Sequence, residues 1–147
     1  MISVGENEVT LESVAKILFD KEKIELSAAT LKKAETNFNF LREFANDKVI
    51  YGINTGFGPM AQHKIPYSER LTLQYNLIRS HASGSGKPIN PLFAKAMLVD
   101  RLNTFAQCKS GVHPDLLQLI CNMINLDLIP VIYEHGGVGA SGDLVQL

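Results

Sequence analysis

The stretch EHGGVGASGDL, residues 134–144, decides how the rest of the chain is read. Gly137, Gly139 and Gly142 fit G-x-G-x-x-G, a pattern that cradles a pyrophosphate and would point to an α/β nucleotide-binding domain. The same residues hold Ala140-Ser141-Gly142, a tripeptide whose backbone can react with itself. The nucleotide fingerprint needs a strand before the glycines, a helix after them and an acidic residue about twenty positions on. Residues 129–133 supply a candidate strand, but this sequence has no position twenty beyond Gly142. Upstream segments read as successive helices without βαβ alternation, so no nucleotide site is expected. Taken alone, the segment also reads as a plain loop in which Ser141 or Asp143 caps a helix.

The helical reading rests on period and punctuation. Ile2–Val4 and residues 8–10 read as short extended pieces. Thr10 is a candidate N-cap before Leu11, Val14, Ile17 and Leu18 on one face. Ser27 is a second, followed by Leu31, Ala34, Phe38, Leu41 and Ala45. Residues 49–60 break the period, because Gly52, Gly56, Gly58 and Pro59 crowd YGINTGFGPM into a loop. A helix then starts near Pro66 and Ser68. It carries two apolar stripes, Leu71-Tyr75-Ile78-Ala82 and Leu73-Leu77, a pattern expected at the centre of a bundle. SGSGKP ends it. Pro91 opens the next helix with Phe93, Met97, Leu98, Leu102 and Phe105 facing inward, and Pro114 opens the last with Leu116, Leu117, Ile120 and Ile124. The fold class is all-α, with a glycine-rich loop and minor short strands.

Composition narrows the function classes. A 46% hydrophobic, 20% charged chain of 147 residues fits one soluble globular domain, residues 1–147. A net charge of −1 offers no basic face to nucleic acid or an anionic membrane. The most apolar region, residues 116–133, is interrupted by Asn122, Asn125 and Asp127, which argues against a membrane span. MISVGENEVT lacks the basic start and apolar run of a secretion signal. Cys108 and Cys121 are far from C-x-x-C spacing and read as reduced cytoplasmic thiols. His63, His113 and His135 have no metal-ligand spacing, so no metal site is expected.

The tripeptide suggests a specific chemistry. The Gly142 amide nitrogen can attack the Ala140 carbonyl carbon when the backbone bends tightly, which glycine permits. Loss of water from the ring and from the Ser141 side chain gives a 4-methylidene-imidazol-5-one, a strong electrophile.

GGVGASGDL resembles the prosthetic-group signature of the aromatic amino acid ammonia-lyases, the family of histidine, phenylalanine and tyrosine ammonia-lyases. YGINTGFGPMAQ, residues 51–62, resembles that family's catalytic tyrosine loop. LQYNLIRSHASGSGKP, residues 73–88, resembles its substrate-binding helix. NTFAQCKSGVHPDLLQLI has its helix-turn-helix spacing around Ser110-Gly111-Val112. The resemblance covers nearly the whole chain, least distinctively in the first forty residues. Two departures are Gly136-Gly137, where many members have Gly-Ser, and Val145-Gln146, where many have Ala-Pro.

The resemblance implies an L-aspartase/fumarase-like N-terminal helical domain and a homotetrameric enzyme whose sites draw on several subunits. It implies that the electrophile from Ala140, Ser141 and Gly142 accepts an amino acid's amine and that Tyr51 removes the β-proton. Ammonia then leaves an α,β-unsaturated acid. Ser80 and His81 would contact the substrate ring and Phe57 would line the pocket, while Asn54 and Thr55 shape the loop. A polar Ser80-His81 pair suits imidazole or phenol better than phenyl, so histidine and tyrosine both stand as substrates. The family's later tyrosine, arginine, asparagine and glutamate ligands are absent, so this stretch alone is expected to be inactive. The competing reading is a non-catalytic binding or assembly module of the same fold.

Overall fold

The computed structural model describes residues 1–139, 142 and 143. In chain order the elements are β1 (Ile2–Val4), α1 (Leu11–Phe19), β2 (Ile24–Leu26), α2 (Ala28–Phe44), α3 (Tyr67–His81) and β3 (Ser85–Pro88). Then come α4 (Pro91–Ala106), α5 (Pro114–Asn125), β4 (Tyr133–His135), β5 (Val138–Gly139) and β6 (Gly142–Asp143). The predicted helices are all present, and the architecture is mostly helical. They fall into two compact units, one of Met1–Leu41 with Ile89–Val131, the other of Arg42–Pro88 with Ile132–Leu147.

The first unit holds the main core. Thr10 caps α1 by accepting from the Ser13 N–H, and Ser27 Oγ accepts from the Thr30 N–H at the start of α2. Pro91 and Pro114 sit in the first turns of α4 and α5, behind caps supplied by Asn90 and His113. Ile17, Leu102, Leu117 and Ile124 are fully buried, with Val4, Ile24, Val99 and Ile120 around them.

Three expectations differ from the structure. Residues 8–10 form no strand, whereas Ile24–Leu26 pairs in parallel with β1, Ile2 opposite Ile24 and Val4 opposite Leu26. Leu11 faces solvent, and α1 buries Ile17 instead. On α4, Phe93 and Met97 are exposed, and the buried line is Ala94, Lys95, Val99, Leu102 and Ala106. Leu102 belongs to both the expected and the observed line, and Leu98 and Phe105 are partly buried against the core. α4 packs against α5, α1 and β1.

Lys95 belongs to that buried line because its ammonium has a carboxylate to meet. Its side chain is 9% exposed and donates to Asp127, which is 49% exposed and lies just past the end of α5. Lys21 stands 3.9 Å from the same carboxylate, and Lys23 donates to the Asn125 carbonyl. Cations at a helix C-terminus complement its dipole. The Lys95 hydrogen bond, then its charge, holds the Asp127 carboxyl below the ordinary carboxylate range. A folded-state carboxyl held low contributes stability that is present above the unfolded-state value and is lost as pH falls through the folded one. Asp127→Asn, which strands the buried ammonium, is expected to lower Tm by about 5 °C at neutral pH, whereas Lys95→Met leaves it unchanged or higher. The gap between parent and Asp127→Asn should close as thermal melts are taken from pH 7 to below about 4.

Candidate functional site

In the second unit, the loop after α2 is built around Asn54. This side chain is fully buried. Its Nδ2 donates to the Ala45 carbonyl at 2.8 Å and the Lys48 carbonyl at 2.7 Å, and its Oδ1 accepts from the Ile50 N–H at 2.8 Å. The Asn54 carbonyl accepts from the Ile65 N–H, and Thr55 opposes Lys64 in an isolated antiparallel bridge. Buried Thr55 accepts from the Gly52 N–H and donates to the Gly56 carbonyl. Two residues expected to shape the loop therefore satisfy its backbone from inside.

Tyr51 stands on the outer side of this frame, 59% exposed. Its ring meets Phe57 edge-on, with centroids 5.9 Å apart and planes at 81°. The Tyr51 hydroxyl oxygen accepts from the Gly58 N–H at 3.3 Å, leaving its own proton out of that bond. Gly52 has φ +76°, a backbone angle that side-chain-bearing residues rarely adopt, and it lies directly after the tyrosine.

Ser80 and His81 end α3. Ser80 Oγ donates to the Leu77 carbonyl at 2.8 Å, and His81 Nδ1 lies 2.8 Å from the same carbonyl and 2.9 Å from Ser80 Oγ. A carbonyl oxygen only accepts, so the neutral imidazole carries its proton on Nδ1 and keeps Nε2 as an acceptor. Tyr51 with Phe57 and Ser80 with His81 form two clusters, and no hydrogen bond or ring contact joins one to the other. The stripe Leu71-Tyr75-Ile78 of α3 is exposed and Leu73 and Leu77 are half-buried, so α3 does not sit at a bundle centre within these residues. Among the described residues nothing covers that stripe.

The segment SGSGKP, expected only to end the helix, continues as β3 and pairs antiparallel with β4, Ser85 opposite His135 and Pro88 opposite Tyr133. Beyond β4, β5 pairs with β6, Gly139 opposite Gly142. Ala140 and Ser141 themselves lie outside the described residues. Among the described residues no three His, Cys, Asp or Glu side chains gather to hold a metal, and no helix is long and apolar enough to cross a membrane. His113 accepts from the Asp115 N–H as a helix cap, and burial pushes the Cys108 and Cys121 thiols up.

Comparison with known proteins bears on the family and the fold. The family model for aromatic amino acid lyase matches residues 9–147. The chain is 41% identical over its full length to a probable histidine ammonia-lyase of Thermoplasma volcanium, and covers 30% of that protein. It is 35% identical to the histidine ammonia-lyase of Homo sapiens over 99% of its length, and covers 22% of that chain. Its fold matches a tyrosine aminomutase from Streptomyces globisporus with TM-score 0.85 at 30% identity, over 93% of this chain and 26% of that one. It matches histidine ammonia-lyase from Trypanosoma cruzi with TM-score 0.79 at 30% identity, over 99% and 28%. The chain therefore spans about 30% of the length of the Thermoplasma relatives it matches.

Asn54→Ala would leave two carbonyls and one N–H without their partner. It is expected to cost about 2–4 kcal/mol, at roughly 1–3 kcal/mol for each buried group left unpaired and partial rescue by water. Urea denaturation measures the loss. Hydrogen exchange should speed up across residues 50–58 first.

Proposed function

The chain belongs to the aromatic amino acid lyase family, and from that premise we propose that the full-length protein is an ammonia-lyase acting on L-histidine or L-tyrosine. The observation that carries the reading is the orientation of His81, whose Nδ1 is committed to the Leu77 carbonyl. Its Nε2 is then an acceptor. An imidazole N–H or a phenol O–H satisfies it, whereas a phenyl ring buries it without a donor.

The contacts described above support the following roles in this reading. Ser80 and His81 orient the substrate ring, and Phe57 holds the Tyr51 ring edge-on while lining the pocket. Tyr51 takes the β-proton, its oxygen already fixed by the Gly58 N–H. The 4-methylidene-imidazol-5-one formed from Ala140, Ser141 and Gly142 would supply the electrophile that makes the substrate amine a better leaving group. Ammonia departs and an α,β-unsaturated acid remains. The reading includes a cytoplasmic homotetramer. The bare Leu71-Tyr75-Ile78 stripe supports assembly, because an apolar helix face of that size calls for cover.

In the full-length protein, Tyr51→Phe should lower turnover by about 10²–10⁴-fold, the usual range for a lost general base. Intact mass should still show the loss of two waters. A fall of less than tenfold would make Tyr51 structural. Ser141→Ala should abolish both the mass deficit and the near-ultraviolet absorbance of the electrophile, together with nearly all turnover.

Substrate choice has its own test. Ser80→Phe with His81→Leu should shift kcat/KM toward phenylalanine by about one to two powers of ten, the worth of one buried acceptor left unpaired. The ratio is measured for histidine, tyrosine and phenylalanine in both versions. An unchanged ratio would place specificity outside these two residues.

A further inference from the structure

The strand pair β3–β4 links the two ends of the proposed chemistry. β3 begins four residues after His81, and β4 ends five residues before Ala140. Beside the Ser85–His135 and Pro88–Tyr133 pairs, three glycines in and next to the strands, Gly84, Gly86 and Gly137, lie close to side chains across the pair. A Cβ on Gly84 would stand 3.0 Å from Tyr133 Cδ2 and 3.3 Å from its Cβ. One on Gly86 would stand 2.8 Å from His135 Cδ2, and Gly86 also has φ +86°. One on Gly137 would lie 3.3 Å from Ser83 Oγ. Across the register shift between Ser85 and Pro88, the Lys87 N–H donates to Glu134 Oε2 at 3.2 Å. At the helix end, the Ser83 N–H donates to the His81 carbonyl at 2.8 Å. Hydrogen bonds and close packing therefore run unbroken from the His81 backbone to Gly137.

We propose that Gly84 and Gly86, packed under Tyr133 and His135, are positioning residues that fix the Ser80-His81 pair relative to the segment entering Ala140-Ser141-Gly142. They touch neither substrate nor electrophile. Their contribution is the absence of a Cβ, which lets the two strands close to a set separation. A methyl group at either position forces the strands apart by a few tenths of an ångström or more, and the ring-binding end and the reacting end shift together with them. Displacements of about 1 Å at a distance from the chemistry are worth on the order of 10²-fold in rate. The proposal rests on the ammonia-lyase reading above.

The test compares Gly84→Ala and Gly86→Ala with the parent in the full-length protein. Intact mass counts the sites that have lost two waters, and kcat and KM for histidine and tyrosine are expressed per such site. Both variants are expected to keep the mass deficit. Their kcat per cyclised site should fall about 10–100-fold, with KM changed less than about threefold, because the ring-binding pair stays whole while its alignment is lost. Tyr133→Ala, which removes the ring atoms 3.0 and 3.4 Å from a methyl on residue 84 and leaves only the Cβ at 3.3 Å, should restore most of the kcat of Gly84→Ala while doing nothing for Gly86→Ala. An unchanged kcat per cyclised site overturns the proposal. So does a loss confined to the number of cyclised sites, which would assign the glycines to ring formation or folding. A parent protein with neither mass deficit nor turnover refutes the ammonia-lyase reading itself, and the positioning role falls with it.

Discussion

Much of this chain runs outside helices and strands, and its buried backbone groups still need hydrogen-bond partners. Asparagine side chains supply them. Asn54 satisfies two carbonyls and one N–H of the loop that carries Tyr51. Asn125, near the end of α5, bonds both the N–H and the carbonyl of Ile24, treating β2 as a neighbouring strand would. Asn37 Oδ1 accepts from the Gly111 N–H at 2.7 Å, where φ is +64° and a Cβ would run into Leu41 at 2.2 Å. In each case a short amide reaches from a helix or a turn to backbone far away in sequence or irregular in shape. Alanine at Asn54 or Asn125 removes several bonds at once, and at Asn37 the one that holds Gly111, and offers nothing in exchange.

That economy explains which parts of the fold were legible in the sequence. Helix starts were, because a cap acts within three residues: Thr10, Ser27, Pro91 and Pro114 all stand where their local chemistry placed them. The strands were not, apart from Ile2–Val4. β2 and β3 have three and four residues and find their partners 22 and about 50 positions away, too short for a period and too distant for a turn signal. On α4, bulk marks burial only in part: Leu102 is fully buried and Leu98 and Phe105 pack on the core, but Phe93 and Met97 are exposed, and the buried face also takes two alanines and a lysine stem whose charge has found Asp127.

The candidate site divides the same way. The residues to which the proposed chemistry is assigned, Tyr51, Ser80, His81 and the Ala-Ser-Gly tripeptide, stand out in the sequence through their motifs. What positions them does not. The acceptor state of His81 Nε2 depends on one carbonyl four residues back, and no motif encodes that contact. The glycines of SGSGKP look like a helix stop until Tyr133 and His135 are seen lying against them.

The two clusters also differ in what supports them. The Tyr51 loop carries its own frame, since Asn54 and Thr55 are fully buried and bonded within the same unit. α3 has no such support. Its fifteen residues include none that is buried, and its mean hydropathy is low. Isolated helices of about this length are marginal in water, so most of their stability comes from packing an apolar face. The Leu71-Tyr75-Ile78 face is the one available for that purpose, and it is bare here. Ser80 and His81 are therefore oriented locally, by the Leu77 carbonyl and the β3 strand that follows, while the helix beneath them depends on what covers that stripe. Ring recognition would then be sensitive to assembly in a way that the tyrosine loop is not.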